Sequence, residues 1–166
     1  MIQLGMTDCP VVRELLDTNQ LNLDYLEVHG PFVTSARQAY PDMPMVLHNA
    51  LYQWSLTHRS GLQYKDAATL TLKRLEKARS PWYSMHLGFS AEEVDFKEDG
   101  MQAITDLLTH EEVLSLCIDR IQQFSAILPV PLLIENMDYN PTNAYEYVLE
   151  EANNWIRSIQ RERTSS

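Results

Sequence analysis

The sequence predicts an α/β fold in which short apolar strands alternate with amphipathic helices. Short apolar runs bounded by proline or polar residues are typical of buried strands, whereas apolar residues spaced three and four apart are typical of helices. Both patterns occur in turn along the 166 residues. A strand–helix–strand order predicts parallel strands joined by right-handed crossovers. Apolar residues make up 45% of the chain and charged residues 22%, as is typical of a globular protein with a core.

Five strands and five helices are predicted in order along the chain. The strands cover residues 2–6, 25–29, 45–49, 82–89 and 131–136. The helices cover residues 10–17, 34–40, 65–79, 109–127 and about 144–161. The third helix is expected to bury an apolar face that includes Leu72 and Leu75. The fourth has the clearest start, because Thr109 followed three residues later by Glu112 is a capping-box pattern.

The number of strand–helix units indicates part of a barrel. A closed barrel of eight such units usually needs about 200–250 residues or more, and this chain holds five units in 166 residues. The prediction is therefore an incomplete TIM-type (β/α) barrel with about five parallel strands and flanking helices. It is expected to form a single partial domain over residues 1–166, with a frayed tail at 157–166.

Charge and composition exclude some classes of partner. The net charge is −10, from 13 basic and 23 acidic residues, so the surface repels phosphate backbones and a nucleic-acid partner is not expected. No apolar run approaches the roughly 20 residues that span a bilayer, and the first residues lack a secretory signal. A cytoplasmic protein is therefore expected, with Cys9 and Cys117 as reduced packing residues. The acidic stretch at 92–99 predicts a solvated loop, with a lid over the site as the alternative.

Three predicted strands carry metal-ligand residues near their carboxyl ends. His48 ends the run MVLHN, His86 lies in YSMHL, and Glu135 lies in LLIEN. Catalytic groups collect at the carboxyl ends of parallel strands, and imidazole together with carboxylate suits Fe, Mn, Zn or Co. A histidine at a strand end also commonly has only a structural role. Glu135 follows three apolar residues, and a buried carboxylate there would need a metal, a cation or hydrogen-bond donors.

Three further polar residues lie beside these candidates. Glu27 and His29 are two positions apart on the second strand, so their side chains point to the same face. Asn136 directly follows Glu135. By residue type and spacing alone, the choice between a metal site and hydrogen-bonded structural residues stays open.

The segments YLEVHGPF, MVLHN, SMHLGFS and LLIENMDYNPTNAYEY occur in an order that resembles a known family. The chain resembles the N-terminal part of the formerly uncharacterised family that includes the iron-dependent oxidases of methanobactin biosynthesis. That family is similar in fold to xylose isomerase and endonuclease IV. The resemblance runs from about residue 2 to about residue 149, and the sequence after it no longer looks like the family's continuation.

The resemblance implies a TIM barrel that binds two or three iron ions and uses oxygen to modify cysteine residues of a peptide. A partner protein often presents the peptide in such enzymes. His48 and His86 match metal-binding histidines, and Glu135 matches a metal-bridging glutamate. Glu27, His29 and Asn136 are implied to support the ligands or to contact substrate. Manganese, zinc and magnesium remain open as the metal.

The family takes further ligands from strands after the fifth, which this chain does not contain. A complete site would then need a second copy, and a homodimer that pairs through open sheet edges is one way to supply it. Two other functions remain open. One is a divalent-metal sugar isomerase or epimerase, which uses the same barrel. The other is a non-catalytic truncated remnant of the enzyme.

Overall fold

The computed structural model describes residues 2–49, 56–58, 65–87, 89, 91–97 and 100–135. Its strands are β1 Gly5–Thr7, β2 Tyr25–His29, β3 Met45–Asn49, β4 Tyr83–His86, β5 Val94–Lys97, β6 Gly100–Ala103 and β7 Leu132–Glu135. Its helices are α1 Pro10–Asp17, α2 Val33–Ala39, α3 Lys65–Ala78 and α4 His110–Ile127, with a short 3₁₀ turn at Gly30–Phe32. The helix expected at 144–161 and the tail at 157–166 lie outside the described residues.

A five-stranded parallel sheet with the order β1-β2-β3-β4-β7 confirms the expected fold class. The pairs β1–β2, β2–β3 and β3–β4 are parallel, and each strand neighbours the next of the series. Helices α2 and α3 contact each other and the strands β2 and β3, so the helices flank the sheet. Strand–helix–strand order in the sequence was therefore sufficient to predict the architecture.

Burial along the strands explains why these segments pair. Every residue of β3 is buried, as expected for the middle strand of a parallel sheet that is covered on both faces. In β2 and β4 burial alternates with period two. The fully covered positions of those two strands carry large side chains, which are Leu26, Val28, Tyr83 and Met85. The remaining positions point to the other face, where the candidate ligands lie.

The helices agree with the sequence except for one face of α3. Leu75 is buried as predicted, but Leu72 is 37% exposed and Thr71 is only 1% exposed in its place. Thr71, Leu75 and Ala78 are spaced by about one helical turn and form the buried stripe of α3, so Thr71 alone replaces Leu72 in the stripe that the sequence predicts. The buried residues of α4 form one stripe, which consists of Val113, Cys117, Arg120, Ile121 and Phe124.

An antiparallel hairpin replaces the solvated loop predicted over residues 92–99. Strands β5 and β6 pair from Val94 opposite Ala103 to Lys97 opposite Gly100. Val94 packs with Phe89 and Ala91 in a small apolar cluster. The prediction was wrong because it relied on the acidic residues and did not use the alternation of apolar positions that starts at Val94. It also did not use the dipeptide Asp99-Gly100, which is typical of hairpin turns.

Arg37 joins α2 to the end of α3 and to the start of β3. Its Nη2 donates to the carbonyl of Ala78 at 2.6 Å, and its Nη1 donates to the carbonyls of Pro41 and Met43, both at 2.8 Å. A planar guanidinium can serve several carbonyls at once, which a lysine ammonium on a flexible stem does less well. Arg37 therefore holds the end of α3 next to the segment that leads into β3.

The chain divides into two compact units. The first consists of Met1–Ala50, Lys65–Met85 and Leu128–Leu133, and it contains β1, β2 and β3 with α1, α2 and α3. The second consists of Leu51–Tyr64, His86–Ile127 and Ile134–Ser166, and it contains the hairpin and α4. That residues 1–166 act as a single domain stays a prediction. No helix in the described part of the chain combines the length and the apolar composition of a membrane span.

The capping box of α4 is expected to contribute to the loss of folding stability at low pH. The backbone N–H and the hydroxyl of Thr109 both donate to the Glu112 carboxylate at 2.8 Å. These bonds hold the pKa of Glu112 below its ordinary value, the backbone bond having the larger effect. Because the pKa of Glu112 is lower in the folded state than in the unfolded state, its ionised carboxylate stabilises the fold at pH values above the unfolded-state pKa. This stabilisation is lost as the pH falls through the folded-state pKa.

Replacing Glu112 by glutamine should therefore reduce the loss of stability on acidification. Urea unfolding midpoints are measured at neutral pH and at a pH below the ordinary glutamate pKa. We expect a smaller difference between the two midpoints for Glu112→Gln than for the wild type. Glu111→Gln, on the same turn but outside the capping box, is the control. Equal pH dependence of Glu112→Gln and wild type would contradict the assignment.

Candidate metal centre

Strand register sets the position of His48. In the parallel pairing His48 lies beside His29 of β2 on one side and beside Ser84 of β4 on the other. His48 is only 4% exposed. A buried imidazole needs partners for its nitrogens, since an unpaired polar group in the interior is costly. The ring must therefore find those partners among its strand neighbours.

Ser84 is one such partner, and its hydrogen bond to His48 depends on the tautomer of the imidazole. The Ser84 hydroxyl lies 2.9 Å from Nδ1 of His48, and it also donates to the carbonyl of Leu47 at 3.5 Å. With its hydrogen towards that carbonyl, the Ser84 hydroxyl can accept from Nδ1–H of His48. A proton on Nδ1 places the lone pair on Nε2, which is the atom that can bind a metal.

His86 and Glu135 lie at the ends of β4 and β7. His86 is half-buried and shares its face with Ser84, two residues earlier. The backbone N–H of Leu87 donates to the carbonyl of Glu135 at 2.9 Å, so the two strand ends are joined directly next to both side chains. This backbone bond limits how far the imidazole and the carboxylate can separate.

The structure brings His48, His86 and Glu135 together. One ligand atom of each residue lies within 4.8 Å of the ligand atoms of the other two. Two atoms that each bind one ion at about 2.1 Å can be at most about 4.2 Å apart. Three donors within 4.8 Å of one another thus need only small side-chain movements to surround a single ion. Two imidazoles and a carboxylate are donors that suit iron, manganese, cobalt and zinc.

Glu27 and His29 form a second pair on the neighbouring strand. Thr7 donates its hydroxyl to Oε1 of Glu27 at 3.0 Å, and Nε2 of His29 lies 3.9 Å from the same oxygen. The His29 ring meets the His48 ring edge to face, with the centroids 5.5 Å apart. The two residues share a face as predicted, and they lie beside the three-residue group without being part of it. Asn136 lies outside the described residues.

Glu135 is exposed, contrary to the expectation of a buried carboxylate. Strand β7 is at one end of the sheet order, and Leu133 on the same face is 44% exposed. The apolar run before Glu135 is explained by the opposite face, where Leu132 is 8% exposed. The sequence analysis did not identify Ser84, which contacts His48. The sequence places Ser84 two residues before His86, on the same face of the strand, and gives no other indication of its role.

The parallel sheet and the His/His/Glu group at its strand ends define a TIM-barrel-type α/β protein with a candidate metal centre. The family model of the RiPP precursor modification enzymes MbnB/TglH/ChrH matches residues 10–161, and the chain belongs to this family. The resemblance stated from the sequence is thereby confirmed. The expectation that the likeness ends near residue 149 was wrong, since the match continues to residue 161.

Solved structures of sugar epimerases share the fold. D-psicose 3-epimerase from Clostridium cellulolyticum H10, crystallised with D-tagatose, superposes with a TM-score of 0.60 at 11% identity, over 95% of this chain and 60% of that one. A D-tagatose 3-epimerase-like protein superposes with a TM-score of 0.55 at 13% identity, over 86% of this chain and 55% of that one. At such identities the likeness concerns the fold. No curated protein matches the sequence.

Removing the Ser84 hydroxyl should change the tautomer of His48. In the metal-free wild type we expect the imidazole proton of His48 on Nδ1, because the Ser84 oxygen accepts it. In Ser84→Ala we expect a mixture of the two neutral tautomers. Nitrogen-15 chemical shifts of the ring distinguish the two forms. The comparison with Thr7→Ala, which removes a hydroxyl that bonds Glu27 instead, controls for loss of a hydroxyl on this sheet. A His48 spectrum that Ser84→Ala leaves unchanged would refute the assignment.

Proposed function

We propose that this chain forms part of a metal-dependent enzyme that oxidises a peptide precursor, with His48, His86 and Glu135 as metal ligands. The observation that supports the proposal is the mutual approach of these three ligand atoms to within 4.8 Å. Family membership supports the substrate class, since the family consists of RiPP precursor modification enzymes. The resemblance to the iron oxidases supports a cysteine side chain of the peptide as the group that the enzyme oxidises.

Iron is the metal we propose, and its donors differ in exposure. His48 is buried and hydrogen bonded to Ser84, so it can anchor an ion in a defined position. Glu135 is exposed at the strand end, which leaves its carboxylate accessible to a second ion or to substrate. A carboxylate can bridge two ions, and the Glu27–His29 pair is near enough to His48 to support a second one. Bound iron would supply the capacity to exchange electrons with oxygen and with a thiol.

The protein's own residues would position the peptide. The carboxyl-end face of the sheet is half-buried at His29, Ser84 and His86, so a peptide side chain can approach the ligands there. Phe32, in the turn that follows β2, is 58% exposed and offers an aromatic surface near this face. Hydrophobic contact with a partner or a peptide would cover such a residue. A peptide-presenting partner and a homodimer through the sheet edges both stay predictions.

Metal content tests the ligand assignment. Protein purified without chelators or a metal-affinity tag should contain iron by elemental analysis. The variants His48→Ala, His86→Ala and Glu135→Gln should each lose most of it, because loss of a residue that only hydrogen-bonds a ligand already weakens metal binding by about 10-fold or more, and these variants lose the ligand itself. His110→Ala and Glu111→Gln, on the exposed first turn of α4, remove the same donor types elsewhere and should keep the metal. Equal iron content in all five variants would refute the site.

Oxygen-dependent mass change of a peptide tests the activity. Iron-loaded protein is incubated with cysteine-containing precursor peptides, with and without air, and the peptides are analysed by mass spectrometry. We expect a mass change that requires both iron and oxygen and that disappears when the peptide cysteine is replaced by serine. A mass change without oxygen, or none with any precursor and its presenting protein, counts against an oxidase.

Sugar epimerisation is the second candidate function. It is favoured by the superposition of D-psicose 3-epimerase on 95% of this chain. The same metal-loaded protein can be incubated with D-psicose or D-tagatose and the sugars separated by chromatography. Conversion at carbon 3 that needs a divalent metal but no oxygen would favour the epimerase. A protein that binds metal and catalyses neither reaction would favour a non-catalytic role.

A further inference from the structure

Helix α4 carries a buried arginine that holds the segment Leu56–His58. Arg120 is 5% exposed, and its Nη1 donates to the carbonyl of Leu56 at 2.5 Å and to the carbonyl of His58. Nη1 has two hydrogens, so one nitrogen can serve both carbonyls. Burial lowers the pKa of this guanidinium, yet an arginine remains charged in proteins. Because charge-assisted hydrogen bonds are strong, Arg120 fixes the backbone on both sides of Thr57.

Thr57 connects the Leu56–His58 segment to the backbone that follows His86. Thr57 is fully buried, and its hydroxyl oxygen accepts from the backbone N–H of Phe89 at 2.9 Å. Phe89 is three residues after His86 and is 3% exposed. A buried N–H that lost this acceptor would have to move to find another. The position of the Thr57 hydroxyl therefore limits the course of the backbone that leaves His86.

The same helix holds that backbone at a second point. Cys117 lies one turn before Arg120, and its thiol donates to the carbonyl of Leu87 at 3.7 Å. Burial raises the pKa of the Cys117 thiol to about 12, so the thiol keeps the proton that it donates. The N–H of Leu87 donates in turn to the carbonyl of Glu135. Leu87 is thus bound to α4 and to the end of β7, and Phe89 is bound to Thr57.

We propose that Arg120 is a positioning residue for His86, acting through Thr57 and Phe89. It does not contact the three ligand atoms. It holds the Leu56–His58 segment so that the Thr57 hydroxyl sets the backbone beyond His86, and thereby the direction of the His86 imidazole towards Glu135. The metal-binding consequence rests on the proposed function, whereas the placement of His86 in the metal-free protein does not.

Two pairs of variants separate positioning from general stability. Thr57→Val removes the acceptor for Phe89, and Thr57→Ser keeps it. Arg120→Lys keeps the charge but loses the planar donor, and Arg37→Lys makes the same change at an arginine that binds the carbonyls of Met43 and Ala78, before β3. Both lysine variants should lower the unfolding temperature. If Arg120→Lys does not fold, the two Thr57 variants decide the question.

The first measurement is made on metal-free protein. Imidazole proton–nitrogen NMR signals of His86 are assigned with His86→Ala. We expect them to shift in Thr57→Val and Arg120→Lys and to match the wild type in Thr57→Ser and Arg37→Lys. Unmoved His86 signals in both Thr57→Val and Arg120→Lys, with lowered unfolding temperatures, would show a purely structural role and overturn the proposal.

The second measurement is titration with Co(II), followed by its visible absorption. We expect binding about 10-fold weaker in Thr57→Val and Arg120→Lys, as for other residues that orient a ligand. Wild-type affinity should be kept in Thr57→Ser and Arg37→Lys. If His86 moves but even the wild type binds no Co(II), the positioning role is supported and the proposed function fails. If the wild type binds Co(II) and Thr57→Val binds it equally tightly, the inference fails alone.

Discussion

The in-register parallel pairing of β2, β3 and β4 is the constraint on which the candidate site depends. It places His29 and His48, near the carboxyl ends of β2 and β3, side by side with Ser84 of β4. A slip of one residue would send His48 to the opposite face and put Leu47 or Asn49 in its place. The register is strongly determined, because burial alternates along β2 and β4 and a slip would move their buried apolar side chains to the more exposed face. The geometry of the candidate site is therefore set by the packing of the sheet.

The candidate ligands become more exposed from one strand to the next. His48 on β3 is buried, His86 on β4 is half-buried, and Glu135 on β7 is exposed. A buried imidazole with a hydrogen bond to a neighbouring serine has little freedom to rotate, so it suits an anchoring ligand. A carboxylate can bind an ion through one or both of its oxygens. The sheet thus combines a rigid ligand with an adaptable one.

Two arginines hold the connecting segments by binding backbone carbonyls. Arg37 binds carbonyls at the end of α3 and before β3, and Arg120 binds carbonyls of the segment that follows β3. Carbonyl groups in connections between strands and helices have no regular partner, and burying them unpaired is unfavourable. A guanidinium provides several donors in one plane, so a single side chain can pair several carbonyls. These bonds hold the segments that carry the carbonyls, and a site built at strand ends requires such fixed connections.

The sequence by itself determined the α/β class, the strand–helix order and the placement of His48, His86 and Glu135 near strand ends. These features depend on local periodicity, and so does the capping box of Thr109 and Glu112. Only the tertiary structure decided that Ser84 pairs with His48, that Thr71 rather than Leu72 is buried, and that Arg120 binds Leu56 and His58. Such contacts join residues that are far apart in sequence, or depend on which side of a helix turn packs against its neighbours, and neither has a local signal. The exposure of Glu135 likewise follows from the position of β7 in the sheet, which an apolar run does not reveal.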